Sequence, residues 1–192
     1  MVRNLFAGIV LAGVACTAQA SVTLSASLTA DNLFDAYIST SPTLAGVNFL
    51  SGGSWSTTFN GSTLIIGAGT YYLHIIAVDQ GGPRMMIGEF SLDSIDATFA
   101  NGTQSLLTNT TDWTVSDTGL GLSPVAPNSF GINSAPSTWG TRPGISGDAE
   151  FIWHPDFPST AYFSTPITII PTPGALAAGL LGLATLARRS RR

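Results

Sequence analysis

The stretch SVTLSASLTADNLFDAYIS, residues 21–39, decides the fold class of this chain. Mostly polar or small residues separate the apolar residues that stand at alternate positions along it. These apolar residues are Val22, Leu24, Ala26, Leu28, Phe34, Ala36 and Ile38. A period of two gives a strand one face for a core and one face for water, whereas a helix repeats every three to four residues. The stretch therefore predicts two β-strands.

Similar short apolar segments continue along the middle of the chain, at residues 55–59, 71–78, 85–92, 95–99, 113–115, 151–153 and 166–170. Turn-forming residues such as Asn60-Gly61 and Asn101-Gly102 separate most of them. Eight or more short strands of this kind predict an all-β fold, an antiparallel β-sandwich, over residues 21–170. Residues 119–148 hold four prolines and six glycines and predict long loops across one end of the sandwich.

The first 20 residues have the layout of a secretory signal peptide. Arg3 precedes an apolar run from Leu5 to Ala15, and Ala18-Gln19-Ala20 forms a small-x-small site for signal peptidase before Ser21. The alternative is an N-terminal membrane helix, but the run is shorter than the roughly 20 residues that a span requires. The single cysteine, Cys16, lies in this segment, so the mature protein is expected to have no disulfide.

The body of the chain, residues 21–170, is acidic. It contains all eleven carboxylate side chains, two arginines and no lysine, which gives residues 21–170 a formal charge of −9. Such a surface repels the phosphate backbone, so we expect no nucleic-acid partner.

The last 22 residues combine three features: a proline motif at 171–173, an apolar run at 174–187 and a cluster of arginines. A helix of 14 residues covers about 21 Å, which makes it a marginal membrane anchor. The arginines would hold the C-terminus in the cytoplasm. An ordinary tail anchor is therefore one interpretation of this segment.

The same order of features resembles the PEP-CTERM sorting signal of Gram-negative bacteria, with Thr172 in place of the usual glutamate. The residues that carry the resemblance are Pro171, Thr172, Pro173, Arg188, Arg189, Arg191 and Arg192. It implies transient anchoring in the inner membrane by a hydrophobic helix, and then cleavage by an exosortase. It also implies a final place on the outer surface or in an exopolysaccharide matrix, as in biofilms.

The body resembles the galactose-binding-like jelly roll, a fold common in secreted, carbohydrate-associated modules. Ala30-Asp31-Asn32, the tryptophan of residues 52–59 and the Gly-Gly-Pro turn at 81–83 carry this resemblance. The fold would bring several strand ends together, and calcium binds six to eight oxygen ligands. The candidate calcium ligands are Asp31, Asn32, Asp35 and Asp79. The alternative is that Asp31 and Asn32 cap a turn.

Few residues suit catalysis. There is no G-x-S-x-G or H-E-x-x-H motif, and we expect His74 to be a hydrogen-bonded core residue and His154 a turn contact. Trp55, Trp113 and Trp153 fall in predicted strands and are expected in the core. Trp139, in the Gly/Pro-rich segment beside Arg142, is predicted to be exposed, and these two residues are the candidates for contact with a sugar ring.

We therefore expect a non-catalytic exported protein of the cell surface or matrix, sorted by an exosortase-type system and binding exopolysaccharide. Two alternatives stay open. One is a calcium-dependent carbohydrate-binding accessory protein or secreted hydrolase, and the other is a tail-anchored structural protein of the envelope. The leading expectation rests on the resemblance of the tail and the fold rather than on a visible binding site.

Overall fold

The computed structural model describes residues 20–171 of the chain. The predicted signal helix with Ala18, and the predicted C-terminal helix with Thr172, Pro173 and the arginine cluster, lie outside the described residues. No helix that could span a membrane is found within residues 20–171.

The described part of the chain is all-β, as the alternation predicted. Its twelve strands are β1 (Ser21–Asp31), β2 (Leu33–Ser39), β3 (Val47–Gly52), β4 (Phe59–Ile66), β5 (Gly69–Val78), β6 (Met85–Leu92), β7 (Ala97–Phe99), β8 (Ser105–Leu107), β9 (Thr114–Ser116), β10 (Asn128–Ile132), β11 (Glu150–Trp153) and β12 (Thr160–Ile169).

The strands form two antiparallel sheets that make a β-sandwich. Sheet A has the order β10-β11-β6-β1-β4, with β8 also paired to β6. Sheet B has the order β3-β2-β5-β12-β7, with β9 also paired to β12. The stretch that decided the fold class supplies one strand to each sheet, since β1 pairs with β4 and β6 while β2 pairs with β3 and β5.

The main core lies between the sheets. Leu24 and Leu28 of β1 have no exposed surface, and they belong to one apolar cluster with Leu73 and Ile75 of β5. Burying a leucine or isoleucine side chain stabilises the fold by about 1.5–3 kcal/mol, so the alternation of β1 translates directly into sandwich stability. Trp113 and Trp153 are buried here as predicted, and their indole N–H groups donate to the carbonyls of Leu107 and Pro158.

The predicted strand at residues 55–59 is wrong. Trp55 lies in a turn between β3 and β4 and is 38% exposed, so it is not a core residue. Asn60-Gly61, interpreted as a turn, lies inside β4, where Gly61 pairs with Ala26. Glycine allows Leu50 to pack closely against β4 there, because a Cβ atom on Gly61 would lie 3.0 Å from Cδ1 of Leu50.

Residues 119–148 are mostly loop, as predicted, but their predicted place across one end of the sandwich is wrong for residues 133–149. This part of the chain contains β10, and residues 133–149, here called the cover segment, pack on the outer face of sheet A. A second apolar cluster forms under it from Met85, Ile87, Trp139, Ile145, Ala149 and Phe151. Met85 and Ile87 alternate with Met86, which belongs to the main core, so β6 is apolar on both faces here.

Candidate functional site

Trp139 is buried, contrary to the prediction that it is exposed for a sugar. Its side chain is 7% exposed and stacks on Phe151 with ring centroids 5.3 Å apart. The indole N–H donates to Oδ2 of Asp31 over 3.0 Å. Trp139 therefore anchors the cover segment to β1 and β11. The glycine and proline residues near Trp139 indicated a loop, which we expected to be exposed. Local composition does not show which surface a loop packs against.

Arg142 is half-buried and serves the same segment. Its guanidinium lies over the Trp55 ring, 5.1 Å from the centroid, and donates to the carbonyls of Trp55 and Trp139. The two proposed sugar contacts thus hold the segment together instead of facing a shared opening. Trp55 is the tryptophan with an exposed indole, and its strand-like neighbours in the sequence concealed this.

The candidate calcium ligands come together only in part. Asn32 Oδ1 accepts from the N–H of Gln80, and Asp79 accepts from Gly81 N–H and from Nε of Arg84 at 2.7 Å. Asp31 and Asp79 lie close enough for their charges to interact. Burial raises the pKa of Asp31, the hydrogen bond from Trp139 opposes this rise, and the Asp79 charge adds to it.

Asp35 does not join this group. It lies on β2 opposite Ile76, and its carboxylate accepts from Oγ of Ser51 at 2.5 Å. Side chains or backbone N–H groups therefore already engage all three carboxylates and the Asn32 amide oxygen. Asn32 accepts from a residue 48 positions away, so its side chain joins the start of β2 to the end of β5 and does not cap a local turn.

A different trio, Asp117, His154 and Asp156, offers ligand atoms within 4.8 Å of one another. His154 is buried, and its Nδ1 accepts from the backbone N–H of Asp156 over 3.1 Å, which confirms the predicted turn contact. A neutral imidazole that accepts at Nδ1 carries its proton on Nε2. A metal-bound histidine normally donates from its free nitrogen instead, so the trio is arranged for hydrogen bonding rather than for a metal.

His74 is fully buried, as expected for a hydrogen-bonded core histidine. Its Nδ1 lies 2.7 Å from Oγ of Ser164, and its Nε2 lies 3.0 Å from the carbonyl oxygen of Ser41. Burial lowers the pKa of His74, opposed by the hydrogen bond with Ser41. A neutral buried histidine with both nitrogens engaged is a structural residue, not a general base open to substrate.

An open groove of about 510 Å³ lies on the outer face of sheet A, where β4, β1 and β6 run side by side. Six polar side chains line it in two rows across the strands. One row is Ser62, Ser25 and Ser91, and the other is Asn60, Ser27 and Glu89. Gly144 of the cover segment borders it. No lysine or arginine is among its lining residues.

Sequence reasoning missed this groove. The polar positions of β1 are visible as the alternation Ser25-x-Ser27, but a row across a sheet depends on which strands lie beside it. The pairing of β1 with β4 and β6 supplies the other four side chains. Only the register places Ser62 and Ser91 on either side of Ser25.

Comparison of the chain with protein-family models, with curated proteins and with solved structures finds no match. Any function must therefore be inferred from the chain's own residues and geometry.

Proposed function

We propose that this protein is an exported, non-catalytic component of the cell surface or extracellular matrix of a Gram-negative bacterium. Signal peptidase removes residues 1–20, and the tail at 171–192 holds the chain at the inner membrane until an exosortase-type enzyme cleaves it. The observation that carries this proposal is the three-part tail: the motif at 171–173, the short apolar run and the terminal arginines.

The limits of the sandwich agree with both processing sites. β1 begins at Ser21, directly after the expected signal-peptidase site, and Ser21 already pairs with Ile66. β12 ends at Ile169, and the N–H of Ile170 donates to the carbonyl of Asp96 over 2.8 Å. Cleavage at either site would leave every described strand whole. A protein that is cleaved at both ends after export needs its folded domain to stay complete in this way.

We further propose that the sandwich is a galactose-binding-like jelly roll. The support is the way consecutive strands change sheets: β4, β6 and β8 belong to sheet A, whereas β5, β7 and β9 belong to sheet B. Such repeated crossing between two antiparallel sheets is typical of Greek-key and jelly-roll sandwiches. A role in binding extracellular polysaccharide suits this fold and the hydroxyl-rich outer face of sheet A.

Mass spectrometry of the protein recovered from producing cells tests the sorting step. We expect a chain that starts at Ser21 and lacks Arg188 to Arg192. A matched variant with those four arginines changed to glutamine keeps the apolar run and should accumulate unprocessed in the membrane fraction. A wild-type protein that stays in the membrane with its arginines would refute sorting and favour the simple tail anchor.

A further inference from the structure

We infer that the groove on the outer face of sheet A binds a neutral polysaccharide chain. This inference deepens the proposed function and rests on it for the source of the ligand, the extracellular matrix. The sugar-binding surface inferred here is the groove, and not the pair Trp139 and Arg142 that the sequence predicted.

The shape of the groove suits part of a sugar chain. A volume of about 510 Å³ lies within the usual range of ligand pockets, about 300–1,000 Å³. Neighbouring strands in a sheet are about 4.8 Å apart, so each row of three side chains extends roughly 10 Å across β4, β1 and β6. Ser25, Ser62 and Asn60 are exposed, which leaves the groove open along its length for a chain longer than one sugar.

The chemistry of the lining suits hydroxyl groups. Each serine can donate one hydrogen bond and accept others, an asparagine amide does both, and a carboxylate accepts. A polyol such as a sugar needs this mixture, because each of its hydroxyls is both donor and acceptor.

Charge excludes the common alternatives to a neutral sugar. Among residues 20–171, Glu89 is the one charged residue that lines the groove, and no lysine or arginine of this part of the chain lines it to offset a phosphate, a sulfate or a uronic acid. The body as a whole carries a formal charge of −9. An anionic polysaccharide would therefore meet repulsion both in the groove and on approach.

Several groups in the groove are already held in place. Oγ of Ser27 donates to Oδ1 of Asn60 over 2.7 Å, which fixes the amide and leaves its N–H groups as donors. The N–H of Ser146 donates to Oε2 of Glu89 over 2.8 Å, which leaves Oε1 as an acceptor. Groups that are fixed before binding lose less conformational entropy when the ligand arrives.

The same face continues beyond the groove as an apolar surface. Leu64 and Ile66 follow Ser62 at alternate positions of β4, so they share its face, and they are 58% and 55% exposed. The C–H face of a sugar ring is apolar and can pack on such side chains. A chain that fills the groove would thus find a second contact along the same edge strand.

The test is a binding measurement with the protein as recovered from producing cells, in whatever processed form it has. The probes are the neutral fraction of those cells' exopolysaccharide and a panel of neutral hexasaccharides: cello-, laminari-, malto- and mannohexaose. Hexagalacturonate is the anionic comparison. Titration calorimetry and NMR line broadening cover dissociation constants up to roughly 10 mM, where the binding free energy is only about 3 kcal/mol.

Ser25→Tyr places a large side chain in the middle of the groove. The matched control is Thr168→Tyr, because Thr168 is an exposed residue on β12 of sheet B and lies between Thr70 and Thr98. A double variant, Ser62→Ala with Ser91→Ala, removes two hydroxyls without adding volume and remains usable if Ser25→Tyr does not fold.

We expect at least one neutral probe to bind, Thr168→Tyr to bind as wild type, and the groove variants to lose roughly tenfold or more in affinity. The inference fails if no neutral probe binds, if hexagalacturonate binds equally well, or if folded groove variants bind as tightly as the control. None of these results depends on the state of the tail. Failure here therefore leaves the sorting proposal standing, and failure of sorting leaves the groove to be judged by its own measurement.

Discussion

Replacing Trp139 with phenylalanine tests whether this residue is a buried anchor of the cover segment. The smaller ring can still stack against Phe151 and Phe130, whose ring centroids lie 5.3 and 5.9 Å from that of Trp139. The indole N–H is lost, however, and with it the hydrogen bond to the buried carboxylate of Asp31.

The expected cost follows from these two contributions. Losing a hydrogen bond to a charged group costs about 1.5–3 kcal/mol, and the smaller ring leaves unfilled space between Phe151 and the cover segment. We expect Trp139→Phe to lower the free energy of unfolding by about 2–4 kcal/mol. Since urea m-values are about 1–3 kcal/mol/M, the unfolding midpoint should fall by roughly 1–2 M.

The assay is equilibrium urea unfolding followed by far-UV circular dichroism, in which the midpoint of each variant is compared rather than the size of its signal. Trp55→Phe is the matched control, because Trp55 is 38% exposed, a phenylalanine ring still offers its face to the Arg142 guanidinium, and the indole N–H of Trp55 forms no hydrogen bond within residues 20–171. An exposed substitution of this kind changes stability by about 0.5 kcal/mol or less. A pH series adds a second readout, because the Trp139 hydrogen bond lowers the pKa of Asp31. The difference between wild type and Trp139→Phe should shrink as Asp31 becomes protonated.

Trp139 is not a buried anchor if Trp139→Phe and Trp55→Phe lose the same small amount of stability. A loss of 2–4 kcal/mol that stays constant with pH would leave packing as its source and reject the hydrogen bond. Loss of sugar binding by Trp139→Phe at unchanged stability would instead restore the prediction of an exposed sugar contact.

Three further predictions concern buried ionisable groups. Asp31→Asn should stabilise the protein at neutral pH, because its amide oxygen still accepts from Trp139 while the buried charge is removed. Since the pKa of Asp31 is raised, wild type regains this stability as the pH falls through that pKa towards 3.8, and a difference in unfolding free energy that persists at low pH would contradict the assignment. His74 should remain mostly neutral at pH 6.5, since burial lowers its pKa, and its contribution to stability is therefore full above pH 6.5 and declines below it. An NMR titration midpoint at or above 6.5 would be inconsistent with the buried contact to Ser164. Calcium chloride and chelator should leave the unfolding midpoint unchanged, because the carboxylates of Asp31 and Asp79 are already held within the protein, and a rise with calcium would revive the calcium-dependent alternative.

Alternation predicted the strands best where one face of a strand is buried and the other is wet. β2 and most of β1 follow this pattern, and the positions of β1, β2 and β5 were predicted. β3 and β4 were missed because they lie at the sheet edges, where apolar residues such as Val47 and Leu64 are exposed. Local pattern cannot distinguish an edge strand with exposed apolar side chains from irregular chain.

The candidate sites were harder to predict than the strands. A burial prediction for Trp139 from Gly/Pro-rich neighbours fails because its burial depends on β6 and on Asp31 of β1, which are distant in sequence. Asp79 was correctly placed near Asp31 and Asn32, since these two residues directly precede β2 and Asp79 directly follows β5, which pairs with it through Leu33 and Val78. Asp35 lies farther along β2, where it pairs with Ser51 of β3 and its carboxylate accepts from Oγ of that serine.

By itself, the sequence determined the all-β class, the acidic charge of the body and the presence of an apolar run near each end, the second followed by arginines. Each of these is local or additive: a period of two, a count of charges, a run of residue types. The tertiary structure alone decided that the cover segment lies on sheet A, that Trp139 is an anchor and that six polar side chains form a groove. These features depend on pairing between strands far apart in the chain, and strand register, not local composition, sets which side chains become neighbours.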